Sequence, residues 1–292
     1  MQITNSDRKK RVSAILLFFT ALLWSTGGVF IKLITLDPVS IAGLRSFFAS
    51  IVFLPFIGNP FKIKLNKLKF FCSLMFAGNV IFLVVATKYT TSANAILLQY
   101  TAPVYVILLS DKILGEKVKK SEYYTVLGVL VGMIIFAFDG LTNKNLMGNI
   151  FGMMAGICFA AVILSTKKIH MSSRTASSLE PLFLGNLLTA FLCSPFYLKG
   201  NIVSGELWML AALGIFQLGV PYVIYAYASK YLSAVQTSLI TTLEPILNPV
   251  WVFLATREQP SMLSLAGGLI VIASISFNYM TVKSKQEKNQ AI

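Results

Sequence analysis

Residues Lys230–Glu258 read KYLSAVQTSLITTLEPILNPVWVFLATRE. The run is long and apolar enough to cross a bilayer, which takes about 20 residues. It nevertheless carries a carboxylate, Glu244, near its middle, followed by Pro245 and then by Pro249. An acid at that depth costs roughly 2.5 to 3.5 kcal/mol on insertion scales, and each proline removes a backbone donor and collides with the preceding turn. A membrane helix keeps such residues where its neighbours repair it or where it lines a cavity. The stretch also has a twin 142 residues upstream. Lys88-Tyr89 answers Lys230-Tyr231, Asn94 answers Gln236, Pro103 answers Pro245 and Glu116 answers Glu258, all without a gap. The chain is built twice.

The surrounding composition agrees with a bilayer. Of the 292 residues, 56% are hydrophobic and 12% charged, with a mean hydropathy of +0.74, where soluble domains carry about 25% charge. The apolar material comes in blocks long enough for helices rather than in alternating ten-residue segments, which excludes a barrel and a soluble enzyme. Cys72, Cys158 and Cys193 all lie inside apolar blocks, where free cysteine behaves as a small hydrophobe; no disulfide framework is implied. Arg8-Lys9-Lys10-Arg11 precedes an apolar block too long for a signal-peptide core, so the block is expected to stay as a first span.

Ten spans fit, at about 12–34, 39–57, 68–87, 92–110, 121–138, 148–167, 175–197, 207–228, 233–255 and 261–281. Their short connections predict antiparallel neighbours in a single all-α integral membrane domain covering residues 1–292, with repeat one at about 12–138 and repeat two at about 148–281. Residues 282–292 form a polar tail expected to be mobile. With the N-terminus inside, 19 of the 25 Lys and Arg fall in inner segments and 4 (Lys88, Lys144, Lys199, Arg257) in outer loops; Lys32 and Arg45 lie within spans. This bias places both termini in the cytoplasm of a cell-membrane protein. It also accounts for the net charge of +14 as topology and attraction to anionic lipid, not as a nucleic-acid footprint.

Five spans per copy is an odd number, so the second copy enters the membrane from the opposite side. The first spans of the copies align as well, WSTGGVFIK (Trp24–Lys32) over FAAVILSTK (Phe159–Lys167), and Pro55 and Pro195 close the two second spans. Inverted repeats around a midplane site are a mark of secondary transporters.

These residues resemble the drug/metabolite transporter superfamily in its ten-helix EamA-type branch, over nearly the whole chain. The carriers are Trp24 with Gly27-Gly28, Leu44-Arg45-Ser46-Phe47-Phe48, Tyr100-Thr101-Ala102-Pro103 running on to Leu114-Gly115-Glu116, and Leu243-Glu244-Pro245 running on to Glu258. Gly128, Gly132 and Gly267-Gly268 fit spans 5 and 10. The resemblance implies an exporter of amino acids, metabolites or drugs, without naming a substrate.

Candidate site residues follow from polarity within spans. Thr237, Thr241, Glu244, Asn248 and Trp251 are spaced four and three apart and share one helical face, expected to look into the bundle. Their counterparts in span 4 include Ala95, Gln99 and Ala102, so the acid belongs to one copy only. The stripe is expected to line the cavity, with Glu244, Asn248, Thr241 and Thr237 as candidate substrate or proton residues, and interhelical hydrogen bonding is the plainer alternative. Arg45 lies about 9 Å below the outer boundary at 1.5 Å per residue. With Glu244 it would offer opposite charges to a zwitterion, or the two would neutralise one another. Trp24, Gln99, Tyr100, Tyr222, Tyr225 and Asn79 complete the candidates, and Pro103, Pro221, Pro245 and Pro249 are the expected bends.

The leading function is a secondary transporter, an exporter working by alternating access, with a small-molecule substrate and the bilayer as partners. A proton is the candidate coupling ion and a homodimer the candidate assembly; no cofactor, metal or nucleic acid is expected. Competing readings are a channel or lipid scramblase on the same fold, or a sugar-phosphate or nucleotide-sugar carrier. The carrier would want several cavity bases, and Arg45 alone lies well inside a span. Intramembrane catalysis is not expected, because one histidine, span-end aspartates and no nucleophile–base pair leave it without machinery.

Overall fold

The computed structural model describes residues 5–137, 146–172, 177–199, 204–256, 262–263, 265–274 and 276–277, and every regular element among them is helical. Seven helical stretches among these residues are long and apolar enough to cross a membrane. They are Asp7–Leu33, Pro38–Ile57, Lys67–Tyr89, Asn94–Leu114, Leu146–Ser172, Leu179–Tyr197 and Gly205–Ala228. Three helical regions stand where the other expected spans fall: α7 (Lys120–Ala137), the pair α12 (Ala234–Thr241) and α13 (Leu243–Thr256), and α14 (Leu265–Ser274). Several helices outrun the expected spans, since α1 starts at Asn5 and α8 covers Leu146–Ser172. Polar residues such as Lys and Arg continue a helix readily beyond the apolar zone. Glu258 and the tail from 282 lie outside the described residues.

Four spans are not simple helices. The fourth divides into α5 (Ser92–Gln99) and α6 (Ala102–Leu114), and the ninth into α12 and α13. Pro103 and Pro245 explain both divisions: neither can donate to the carbonyl four residues back, Gln99 or Thr241, and the ring displaces it. Tyr100 in the first break and Thr242 in the second are again 142 residues apart. The helix starts correspond too. Thr91 Oγ1 accepts from Asn94 N at 3.2 Å, and Ser233 Oγ accepts from Gln236 N at 3.1 Å within a capping box, so the matched pair Asn94/Gln236 consists of the two N3 residues.

Span 1 divides at Thr26 into α1 (Asn5–Ser25) and α2 (Gly27–Leu33), a break with no proline, made where Gly27-Gly28 tolerates it. In span 8, α10 (Ser204–Ala212) and α11 (Val220–Ala228) are joined by a π segment, Leu213–Gly219. Pro221 opens α11, and just before it Val220 N reaches back five residues to Ile215 O, the wide turn that re-satisfies a backbone interrupted by proline. No break accompanies Pro249, because α13 runs through that position.

Helix α3 (Pro38–Ile57) packs on α9 (Leu179–Tyr197) and on the π segment, while α4 (Lys67–Tyr89) packs on α8 and α9. Helices α5 and α6 lie against α8, α1 lies against α11, α12 and α13, and α6 meets α12 as α5 meets α13. The α4–α8 pair is antiparallel: Gly148 sits beside Thr90, Phe151 against Phe82 and Cys158 beside Gly78. Gly156 of α8 faces the span-4 break, where a Cβ would fall 2.6 Å from Thr101 Oγ1 and 2.9 Å from the Gln99 carbonyl. A side chain there would push the broken helix away.

The polarity is that of a membrane protein. Phe18, Phe19, Phe71, Ile134, Phe191 and Phe216 are exposed, whereas Arg45, Asn79, Gln99, Thr237, Glu244 and Asn248 are buried. The three cysteines are free and buried.

Candidate functional site

Among the described residues, the four irregularities just described lie in or within two residues of the wall of one cavity. It is lined by Trp24 just before the span-1 break, Gln99 at the span-4 break, Glu244 just after the span-9 break, and Gln217 and Leu218 in the π segment. Arg45, Asn79, Val80, Leu83, Phe159 and Tyr222 complete the wall. The free volume is about 20 Å³, room for roughly one water molecule.

Two charged groups face this space from different copies. Arg45 is 1% exposed and Glu244 4%, yet the ion pairs among the described residues join Lys69 to Glu180 and Lys167 to Glu116. Arg45 and Glu244 therefore do not cancel by direct contact. Glu244 Oε2 instead accepts from the Tyr100 hydroxyl at 2.6 Å, so the acid of the second copy is held by the phenol of the first. Arg45 Nη1 makes a long 3.4 Å bond to Gln217 Oε1, and its Nε has no protein partner. Gln99 Oε1 and Trp24 Nε1 are likewise buried without partners. Each such atom costs about 1–3 kcal/mol when left unmatched, and three of them lie on one cavity wall.

The rest of the wall is aromatic and amide. Trp24 packs on Tyr222, with centroids 4.7 Å apart, on Tyr225 at 5.8 Å and edge-on to Phe159 at 5.9 Å, and Phe159 in turn meets Tyr100 at 5.9 Å. Gln99 Nε2 donates to Asn79 Oδ1 at 2.8 Å, and Asn79 Nδ2 to the Tyr222 hydroxyl at 3.3 Å. Buried amide chains of this kind fix side chains that would otherwise be free to turn.

Of the expected residues, Trp24, Arg45, Asn79, Gln99, Tyr222 and Glu244 meet at the cavity. Tyr100 reaches it through Glu244, and Tyr225 stands behind Trp24, 3.4 Å from Thr166 Oγ1. The Thr237–Asn248 stripe is buried as expected but divides in use. Asn248 Nδ2 donates to the Ser25 carbonyl at 2.9 Å, Trp251 Nε1 donates to Ser25 Oγ at 2.7 Å, and Thr241 bonds within its own helix. Thr237 Oγ1 is buried without a partner. Asn248 thus repairs the span-1 break from across the repeat boundary, and Gln217 does the same for the Trp24 carbonyl at 3.2 Å. Gln217 and Phe159 were not among the expected residues. The signal for Phe159 was its alignment with Trp24.

A model of the EamA-like transporter family matches residues 11–138 and again residues 146–280. An uncharacterized transporter of Archaeoglobus fulgidus is 28% identical over 92% of this chain and 96% of its own. The pseudopaline exporter CntI of Pseudomonas aeruginosa is 24% identical over 66% of this chain and 68% of its own. One crystal structure superposes with a TM-score of 0.78 at 15% identity, covering 93% of this chain and 98% of the other, a likeness of fold.

Proposed function

The chain belongs to the EamA-like transporter family, and from that premise we propose a secondary transporter that exports a small zwitterionic metabolite by alternating access. The protein is a membrane transporter by family, and its partners are a small molecule and the bilayer. The observation that carries the substrate reading is the unpaired opposition of Arg45 and Glu244 across one cavity. A carboxylate on the substrate would take the free guanidinium donors, bidentately where geometry allows. An ammonium would take Glu244. A sugar phosphate would meet one base and one acid here, which disfavours it. The pseudopaline exporter is named for moving a metabolite outward, in line with the direction proposed.

Ten spans in two inverted copies are the proposed architecture. The family model matching twice supports it, as do the caps and breaks at a constant offset of 142. The packing supports it too: exchanging span 1 for 6, 3 for 8 and 4 for 9 turns the α4–α8 contact into α11–α1. It also turns α5–α6 on α8 into α12–α13 on α1. Both termini are proposed to be cytoplasmic from the charge bias. Glu244 is the proposed proton site, since substrate and proton would compete for the same oxygens.

A thermal-shift screen of purified protein against amino acids, amines and drugs tests the substrate class. A matching ligand at 100 times its Kd stabilises by about 2.7 kcal/mol. Zwitterions should stabilise the parent and lose that effect in Arg45→Gln and in Glu244→Gln. Stabilisation by simple amines alone, insensitive to Arg45→Gln, would refute the zwitterion, and unitary conductance steps in bilayers would refute the carrier.

A further inference from the structure

Two lysines at matched positions in the copies make the same unusual bond. Lys32, at the end of span 1, donates from Nζ to the Thr90 carbonyl at 2.7 Å, in the turn before span 4. Lys167, its aligned counterpart at the end of span 6, donates to the Leu232 carbonyl at 2.5 Å, in the turn before span 9. Thr90 and Leu232 are themselves 142 residues apart. Span-end lysines normally snorkel to water. Lys32 is exposed and Lys167 half-buried, yet both ammonium groups also bond backbone oxygens of the turns that lead into the two broken helices.

The two bonds lie at opposite ends of the bundle. Gly148 at the start of α8 sits beside Thr90, and Lys167 is 19 residues further along the same helix, roughly 28 Å at 1.5 Å per residue. Phe159 of the central cavity lies between them. Each end carries reinforcement. At the Thr90 end Lys88 Nζ donates to the Ile34 carbonyl at 2.5 Å, and Glu206 Oε1 accepts from Thr35 N and Oγ1 at 2.5 and 2.6 Å. At the Leu232 end Glu116 stands 3.6 Å from Lys167 and accepts from Ala234 N at 3.1 Å. A cavity of about 380 Å³ borders this end and includes Lys167, Glu116, Leu232 and Ser233 in its wall. The central cavity holds about 20 Å³, and the two share no lining residue.

We propose that Lys32 and Lys167 are the fastenings of two gates, one at each mouth of the central cavity, and that releasing either lysine opens its own end. The proposal rests on the alternating-access reading above. Both gates are shut in this structure, which is why the cavity is closed to anything larger than water. Each acceptor is a main-chain carbonyl, so the lysine supplies the donor at both ends, with Glu116 adding an ion pair at the Lys167 end. Breaking one charge-assisted bond shifts an open–closed balance by roughly tenfold. Breaking it frees the turn that leads to Tyr100 on one side, or to Glu244 on the other.

The test uses Leu83→Cys as a reporter on the cavity wall, with Cys72, Cys158 and Cys193 replaced by serine. A membrane-impermeant thiol reagent is added to one face or the other of sealed proteoliposomes of known orientation. Lys32→Ala should speed labelling roughly tenfold from the Thr90 face only, and Lys167→Ala equally from the Leu232 face only. Lys32→Met and Lys167→Met keep the volume without the donor and should match the alanine variants. The arginine variants keep a donor and should stay near the parent rate. Acceleration from the same face in both variants, or no acceleration in monodisperse protein, overturns the gates. Fast labelling of the parent from both faces at once overturns alternating access itself, whatever the lysines do.

Discussion

The amide of Asn248 donates to the carbonyl of Ser25 at 2.9 Å, across 223 residues of chain. A side chain from α13 thereby serves a backbone oxygen at the break between α1 and α2. Asn248→Leu should leave that oxygen unmatched in an apolar interior, costing about 1–3 kcal/mol. The expected outcome is a lower unfolding temperature in detergent with ligand-induced stabilisation largely retained.

Gly28 is the reason that approach is possible. A Cβ on it would overlap Ser92 Oγ and stand 2.7 Å from Asn248 Nδ2. Gly28→Ala should therefore destabilise by about 1–3 kcal/mol through overpacking, measured as loss of monodisperse protein on heating. Adding Ser92→Ala removes the hydroxyl and should restore part of the loss. No restoration would mean that the backbone of α2, not the side-chain gap, needs the glycine.

Tyr100 and Tyr225 are both buried phenols, but their hydroxyls differ in use. Tyr100 holds Glu244 at 2.6 Å, whereas Tyr225 makes only a 3.4 Å contact to Thr166. Tyr100→Phe should lower transport into proteoliposomes about 10–100-fold, the range for losing a hydrogen bond to a charged group. Tyr225→Phe should change it less than about threefold. Equal effects would remove Tyr100 from the site.

Trp24 is the largest contact in the wall, touching Tyr222, Tyr225 and Phe159. Trp24→Ala should cost about 3–5 kcal/mol of stability. Trp24→Phe should keep the fold and enlarge the cavity. Affinity in the thermal-shift screen should then move toward bulkier ligands.

Part of this was legible because the breaks of the fourth and ninth expected spans are written twice in the sequence, at an offset of 142. Pro103 and Pro245 announced the breaks, and the breaks fell beside them. Glu244 stood out because its counterpart is Ala102, and it does line the cavity. Asn248 and Thr241 could not be separated from Glu244 by spacing, because helical periodicity says which residues share a face and not where along the face the cavity ends. The break at Thr26 carries no proline. Glycine permits a break without requiring one, and only the approach of Gln217 and Asn248 from elsewhere fixes its place.

The wide turn in span 8 has a consequence for how the site is composed. Gln217 and Tyr222 are five residues apart, and in an α-helix such residues point about 140° away from each other. In a π turn, where bonding runs from i to i+5, they stack. Gln217 lies in the π segment Leu213–Gly219 and Tyr222 three residues beyond it in α11, and both reach the cavity wall. Span 8 is therefore a span whose residue count is part of the binding chemistry. Deleting Ile215 or Phe216, neither of which lines the cavity, would turn Tyr222 away from Trp24 while leaving every side chain of the wall in the chain.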